Sequence, residues 1–489
     1  MNNTSIYNFD ILLLFYYLCP MPTITRKIEL YIDKDNLSDE AYKEQWSYLH
    51  QINNHLYLAA NRISSHCFMN DEYEYRLRLQ MPEYHEIEKK LKTSKKNALS
   101  KEEIQSLKAR KKVLDKLIKE RCKKEFYHNM SQQNSLYRLV SNEFIDVIPG
   151  DVLTNINQSV QKMYNENRLD LSKGERTIST YKKGMPIPFS VKKDVPFIQK
   201  DSGEIVLKWF NGINFKLHFG KDRSNNRFIV ERIIQSALNQ KQKGEDYVIN
   251  NSSIQLVSKD KNTKIFLLLS LDIPVQKRVL NTELVMGIDL GINYPLYYAT
   301  NGNAYIKGHI GDRDSFLKER MVFQRRFKEL QQLQCTQGGR GRKKKLEPLE
   351  KLRVKERNWV RTKNHIFSRE VIKNALHLGT GTIKMEKLTN FGKDREGNPE
   401  DAKKYILRNW SYFELQTMIE YKAKMEGIKV LYVNPAYTSQ RCNCCGEIGE
   451  RKEQAVFKCT NPQCSEYNKE INADYNAARN IAKSEDIVK

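Results

Sequence analysis

Two carboxylates standing inside apolar, strand-forming runs constrain this chain more than any other feature. Asp289 interrupts Val285-Met-Gly-Ile-Asp-Leu-Gly291, and Glu386 interrupts Thr382-Ile-Lys-Met-Glu-Lys-Leu388. A carboxylate is costly to bury without a partner, so each is expected to meet a cation. A third acid, Asp474, opens a helix in Asn472-Ala-Asp-Tyr-Asn-Ala-Ala-Arg-Asn480. Converging on one point, the three would form an all-oxygen site for Mg²⁺, the metal that suits phosphate chemistry. Singly, each has a plain structural role: Asp289 as a turn residue before Gly291, Glu386 as a solvent-facing strand position, Asp474 as a helix-start acid favoured by the dipole.

The cysteines form a second pattern. Five of nine fall between Cys442 and Cys464, while Cys19, Cys67, Cys122 and Cys335 are scattered, which is metal-site usage in a reducing compartment rather than a disulfide framework. Cys442-x-x-Cys445 and Cys459-x₄-Cys464 supply four thiolates for tetrahedral Zn²⁺, with Cys444 as a competitor for Cys445. With neither a nearby His nor an open coordination position, the zinc is expected to be structural. It would brace a ribbon just before Asp474. A redox Cys-x-x-Cys would need a thioredoxin-like context that is absent from the pattern.

A net charge of +24 and a pI near 9.4 call for an acidic partner, and 26 Tyr and 19 Phe offer stacking surfaces, so nucleic acid fits best. A membrane surface would need a concentrated amphipathic basic helix or an anchor, and no membrane partner is expected. The apolar run Ile11–Leu18 is too short to span a bilayer and follows Asp10 with no basic residue, so a cytoplasmic location is expected.

Along the chain, residues 1–20 read either as an extension from an upstream start or as an ordinary terminal element. Thr23–Ile32 alternates as a strand. From Leu37 to about Leu169 the pattern is helical, with a capping box at Ser100 and Glu103 and a face of Lys108, Lys111, Lys112, Lys116 and Lys119 that is read as contacting nucleic acid. Residues 206–210, 215–219, 227–230, 254–257 and 264–271 read as short strands between turns and suggest a small barrel. In the C-terminal half, strands near 284–290, 294–299, 304–309, 382–388 and 429–433 alternate with helices near 314–333 and 347–378. A further helix has Ser411 as N-cap, Glu414 as its capping-box partner and Gly427 as terminator. Arg340, Arg342, Lys343, Lys344 and Lys345 lie in a Gly-punctuated break between helices, either as a solvated loop or as a phosphate contact. The second reading is preferred, because glycine permits close backbone approach and the clustered charge would release counterions.

Asn434-Pro-Ala-Tyr-Thr-Ser, the split cysteine cluster and Asp474-Tyr-Asn-Ala-Ala together carry a family signature. The chain resembles the transposon-encoded TnpB nucleases and their descendants, the miniature type V (V-F) CRISPR effectors. Specific motifs cover about residues 284–489, and the preceding half matches in size and order of its elements. Two departures stand out: the second cysteine pair is wider than Cys-x-x-Cys, and Asn472 stands where relatives often carry an acid.

The resemblance implies a multidomain α+β protein in which a helical lobe and a small β-barrel precede a RuvC-like (ribonuclease H-like) α/β nuclease with an inserted zinc ribbon. The segments would be an extension (1–20), the first barrel strand (21–36), a helical recognition lobe (37–174), a wedge-like barrel (175–275), a linker (276–283), the larger nuclease segment (284–434), the zinc insertion (435–470) and the closing nuclease segment (471–489). It further implies a Mg²⁺-dependent endodeoxyribonuclease with a two-metal site at Asp289, Glu386 and Asp474. Its partners would be a guide RNA and target double-stranded DNA bearing a short flanking motif. Two copies would share one guide, with Tyr48, Leu49, Leu56 and Tyr57 as contacts or as the lobe's own core. An enlarged helical lobe favours the CRISPR effector over TnpB, and a guide-dependent repressor is the non-cutting alternative.

Overall fold

The computed structural model describes residues 22–488 apart from 36, 94–99, 190–195, 210–211, 223, 239–246, 260–261, 277, 292–293, 337–341, 388–410 and 454. Residues 1–20 lie outside this range. The chain divides into two units, Thr23–Asp272 and the region from Ile273 onward.

In the first unit, β1 (Thr23–Ile32) alternates as its sequence requires, burying Ile28, Leu30 and Ile32. A helical insertion follows: α1 (Asp39–Leu79), α2 (Pro82–Lys92), α3 (Lys101–Glu125), α4 (Gln132–Phe144) and α5 (Gly150–Ser172). The capping box at α3 closes in both directions, Glu103 N–H donating to Ser100 Oγ at 3.1 Å and Ser100 N–H to Glu103 Oε2 at 2.9 Å. This helix buries Leu114, Ile118 and Cys122 and leaves Lys108, Lys112, Lys116 and Lys119 exposed, while Lys111 pairs with Glu88 at 2.9 Å. Leu49 and Leu56 are fully buried in α1 and so belong to the core of the lobe, which removes them as a contact surface.

The remaining strands are β2 (Ile187–Phe189), β3 (Phe197–Gln199), β4 (Ile205–Lys208), β5 (Asn214–His218), β6 (Val248–Ile249), β7 (Ser252–Lys259) and β8 (Asn262–Asp272). The sheet order is β2-β7-β8-β1-β5-β4-β3, with β6 added to β8. Among the described residues β2 and β3 do not pair with each other at the two edges, so the sheet these residues form is a half-barrel where a small barrel was expected. Each edge strand is three residues long, which leaves little backbone with which to close the ring. A second correction falls at Arg227–Val230, expected as a strand and found in helix α6 (Asn226–Leu238). Ile229, Val230 and Ile233 are buried on one helical face, and the Asp222 carboxylate caps the helix by accepting from Asn226 N–H at 2.7 Å and Arg227 N–H at 2.9 Å.

In the second unit a six-stranded sheet runs β11-β10-β9-β12-β13-β17. β9 (Asn281–Asp289), β10 (Leu296–Thr300) and β11 (Lys307–Ile310) are antiparallel neighbours; β12 (Thr380–Glu386) lies parallel to β9, and β13 (Lys429–Val433) parallel to β12. β17 (Ile487–Val488) adds an antiparallel edge that is too short to be read as a strand from sequence. Helices α7 (Arg313–Thr336) and α8 (Arg342–His377) precede β12, α9 (Tyr412–Met425) precedes β13, and α10 (Ala473–Lys483) comes last. Met286, Ile288, Ile383 and Met385 of the central strands pack with Val371, Ala375, Leu415 and Ile419 of the helices. Near-continuous burial along β12 is what a parallel strand covered on both faces demands.

Ser411 stands at the start of α9 without capping it. Its hydroxyl accepts from Asn364 Nδ2 at 2.8 Å and donates to Glu414 Oε2 at 3.2 Å, so the expected capping box is replaced by a side-chain network that ties α9 to α8. Among the described residues, no helix is long and apolar enough to cross a membrane.

Candidate metal centres

Parallel pairing of β9 and β12 sets Ile288 against Met385, so Asp289 and Glu386 lie one residue further on, at the carboxyl ends of neighbouring strands. That is where open α/β sheets hold their ligands. Asp474 comes from the first turn of α10 and is 6% exposed. Gly287 explains how this helix reaches the strands: a Cβ there would stand 2.1 Å from the Ala478 carbonyl oxygen and 2.4 Å from Ala482 N. Only a hydrogen atom fits between β9 and α10. Beyond the acid on β9, a Cβ on Gly291 would stand 3.6 Å from Asp474 Oδ1, which puts Asp474 beside the end of that strand.

Crowded like charges follow from this packing. Burial pushes the Asp289 carboxyl well above the usual carboxylate range, and the charges of Glu386 and Asp474 raise it further. Burial also raises Glu386 and Asp474. Arg451, on strand β14 (Glu450–Glu453), opposes the shift at both aspartates, and the Thr438 hydroxyl, donating to Glu386 Oε1, opposes it at Glu386. Asp474 Oδ2 is buried without a hydrogen-bond partner. Among the described residues Cys442, Cys445, Cys459 and Cys464 are the group whose ligand atoms stand close enough to share an ion; the acids contribute the all-oxygen donor chemistry and the orphaned acceptor that suit a divalent cation. Gln416 Nε2 donates to the Glu386 carbonyl at 2.7 Å, and the Tyr412 hydroxyl to the Gly291 carbonyl at 3.1 Å, so α9 steadies the ends of both strands.

Sequence reasoning missed Arg451, Thr438 and Gln416 as neighbours of this cluster. Arg451 sits in a charged run with no distinguishing signal. Thr438 was visible inside Pro-x-x-Thr-Ser, though only as a member of a signature.

The sulfur atoms of Cys442, Cys445, Cys459 and Cys464 all lie within 4.8 Å of one another. Cys442 and Cys464 are 3.9 Å apart, and Cys445 and Cys459 3.6 Å. A tetrahedron with Zn–S bonds of about 2.3 Å has sulfur–sulfur edges of about 3.8 Å, so the four fit zinc. The wider second pair is accommodated by a turn in which Cys464 N–H donates to the Asn461 carbonyl at 3.0 Å. Cys444 is exposed, faces Ser465 Oγ at 3.3 Å and is not among the four.

β14, β15 (Val456–Lys458) and β16 (Glu470–Asn472) form a three-stranded ribbon around buried Phe457. β16 runs straight into α10. Asn472, found where relatives often have an acid, is the N-cap of that helix and accepts from Tyr475 N–H at 2.9 Å. The ribbon therefore delivers the helix that carries Asp474.

Of the basic run, Arg340 lies outside the described residues. Arg342, Lys343, Lys344 and Lys345 form the opening turn of α8 and not a loop, since Arg and Lys are good helix formers once the glycines end.

Residues 412–481 match the family model for the Cas12f1-like TNB domain. The chain is 34% identical over 338 residues to the CRISPR-associated endodeoxyribonuclease Cas12f1 of Sulfoacidibacillus thermotolerans, covering 67% of this chain and 76% of the relative. It is 33% identical over 318 residues to the Cas12f1 of Syntrophomonas palmitatica, covering 58% and 59%. A TnpB-like protein of Methanocaldococcus jannaschii is 34% identical over 141 residues, or 28% and 48% of the two chains. Among solved structures, a Cas12f1–sgRNA–target DNA complex shares the fold with a TM-score of 0.60 at 18% identity, covering 96% of this chain and 100% of that one.

Proposed function

Because the chain belongs to the Cas12f1 family of miniature type V-F CRISPR effectors related to TnpB, we propose that it is an RNA-guided DNA endonuclease with a RuvC-type site. A guide RNA selects the target by base pairing, and the protein recognises a short flanking DNA motif. Its net charge of +24 suits both polyanions.

The observation that supports the nuclease reading is the placement of Asp289 and Glu386 at the ends of neighbouring strands with Asp474 beside them, where Asp289 is raised well above its ordinary pKa and Asp474 Oδ2 is unpartnered. Such repulsion disfavours the ionised triad in the metal-free protein and is relieved by divalent cations. Two bound Mg²⁺ ions would activate the attacking water and stabilise the leaving 3′ oxygen. By analogy with the family, Asp289, at the carboxyl end of β9, would hold both ions, and Glu386 and Asp474 would hold one each. Arg451 keeps the two aspartates closer to their ionised state. Cys442, Cys445, Cys459 and Cys464 hold a structural zinc that fixes the start of α10 and with it Asp474. Arg342, Lys343, Lys344 and Lys345 contact a phosphate backbone from the end of α8.

Two copies share one guide in this reading, through surfaces other than Leu49 and Leu56. Mass measurement of the purified protein–guide complex tests it, and one protein per guide would reject it. The TnpB reading stands second, since similarity to the Cas12f1 relative extends over 338 residues against 141 for the TnpB-like protein. Incubating the purified protein with its CRISPR-derived guide, a matching plasmid and Mg²⁺ tests the activity. Cleavage abolished by a chelator is expected; guide-dependent binding with no cutting would return the protein to the repressor reading.

A further inference from the structure

The segment from Pro435 to Asn443 lies between the two centres, and its contacts run in both directions. At one end the Thr438 hydroxyl donates to Glu386 Oε1, and it also lies 3.1 Å from the Pro435 carbonyl. The carboxylate is the stronger acceptor of the two. Thr438 is 9% exposed, so water offers the hydroxyl little competition. At the other end the segment enters the zinc knuckle at Cys442.

Between these ends it is held from behind by α10. Asn480 Nδ2 donates to the Thr438 carbonyl at 2.8 Å and to the Arg441 carbonyl at 2.7 Å. Asn476, fully buried, donates from Nδ2 to the Arg441 carbonyl at 2.7 Å and accepts from Asn443 N–H at 2.9 Å. One helix thus carries Asp474 in its first turn and, further along the helix, two amides that clamp the strap leading to Glu386. Tyr437, next to Thr438, takes a left-handed backbone conformation with φ of +64°, which a non-glycine residue adopts only when its surroundings enforce it.

We propose that Thr438 is a positioning residue for the acid centre: it fixes the Glu386 carboxylate for metal binding, and Asn476 and Asn480 hold it there. The inference rests on the reading of Asp289, Glu386 and Asp474 as a metal site. It gives the asparagines of Asp474-x-Asn476-x₃-Asn480 a role that neither metal ligation nor helix formation requires. It also makes the strap the route by which order in the zinc ribbon reaches Glu386.

Mn²⁺ titration of the full-length protein–guide complex, followed by electron paramagnetic resonance of the free ion, tests this without reference to activity. Removing an outer partner of a metal ligand weakens binding by about tenfold to a hundredfold. Thr438→Val, which keeps the shape and deletes the hydroxyl, should weaken Mn²⁺ binding by about tenfold and raise the Mg²⁺ needed for half-maximal cleavage by a similar factor. Thr438→Ser should restore both. Wild-type Mn²⁺ affinity in Thr438→Val overturns the proposal, as does a loss that Ser fails to rescue. Should Thr438→Val not fold, Asn480→Ala decides by the same titration, weakened binding supporting the proposal and unchanged binding rejecting it. Asp289→Ala separates the premise: if it leaves Mn²⁺ binding intact, the acid centre is not a metal site and the proposal falls with it.

Discussion

The two candidate centres are built in opposite ways. Cys442, Cys445, Cys459 and Cys464 are close in sequence and are gathered by one small ribbon. Asp289, Glu386 and Asp474 come from two strands and a helix far apart along the chain, and they are brought near one another only because β9, β12 and α10 pack as they do. The local centre is exposed to damage mainly through its own ligands. The long-range centre is exposed through every contact that sets the packing, including residues with no ligating atom.

The largest effects should come from the acids. Asp289→Ala, Glu386→Ala and Asp474→Ala should each lower Mg²⁺-dependent cleavage by more than about a hundredfold, the upper end of what an outer-sphere loss costs, while guide and target binding stay close to wild type. Time courses of plasmid cutting beside filter binding check this, and near-normal cutting removes that residue from the centre. Gly287→Ala sharpens the comparison, since it touches no ligand. The added methyl must push α10 from β9, and overpacking of this kind costs about 1–3 kcal/mol or more, so both thermal stability and cleavage should fall. Wild-type behaviour of this variant would break the claim that packing builds the acid site.

On the local side, the protein should hold about one zinc per chain. Cys442→Ser or Cys459→Ser should lose it, loosen the ribbon in hydrogen exchange and leave exchange in Thr23–Asp272 unchanged. Metal analysis finding no zinc in wild-type protein prepared without chelators would reject the site. A smaller effect is expected from neutralising Arg342, Lys343, Lys344 and Lys345, which should flatten the salt dependence of nucleic-acid binding; an unchanged slope makes them a solvated helix end.

The smallest concerns Lys422, which donates to the His365 carbonyl at 2.8 Å and to Ser368 Oγ at 2.6 Å and so joins α9 to α8. Burial, aided by the Arg369 charge, pushes its pKa down to about 8. Between there and the unfolded value of about 10.4, the unfolded chain holds a proton that the folded chain has released. Stability attributable to this group therefore rises with pH across that window. Lys422→Gln should remove that rise in denaturation midpoints measured from pH 8 to 10.

The same contrast explains what could be read from the sequence. Thiols at metal-ligand spacing announce themselves, as do carboxylates inside apolar runs, because few other reasons place them there. Strand periodicity likewise marks Thr23–Ile32 and most of the sheet strands of the second unit. Arg227–Val230 misled because four residues of mixed pattern suit a strand or a helix equally, and the deciding cap, Asp222, lies outside the apolar run. Ser411 and Glu414 carried the capping spacing, yet Asn364, distant in sequence, took the hydroxyl. Thr438 and Arg451 were hidden for a similar reason: their importance lies in what approaches them. Gly287 did offer a signal, since a glycine inside a strand pattern often marks a close backbone approach.

The position of β1 in its sheet has a consequence for biosynthesis. Its neighbours are β5 and β8, and its first residue pairs with Asp272. At roughly 5–20 residues per second a ribosome needs on the order of tens of seconds to supply that partner. Ile28, Leu30 and Ile32 leave the exit tunnel long before any strand can cover them, while α1 to α5, with a core of their own, can fold in the interval. A growing chain would then carry a finished helical body behind an unpaired strand with Ile28, Leu30 and Ile32 uncovered on one face, the species a nascent-chain chaperone would have most reason to hold.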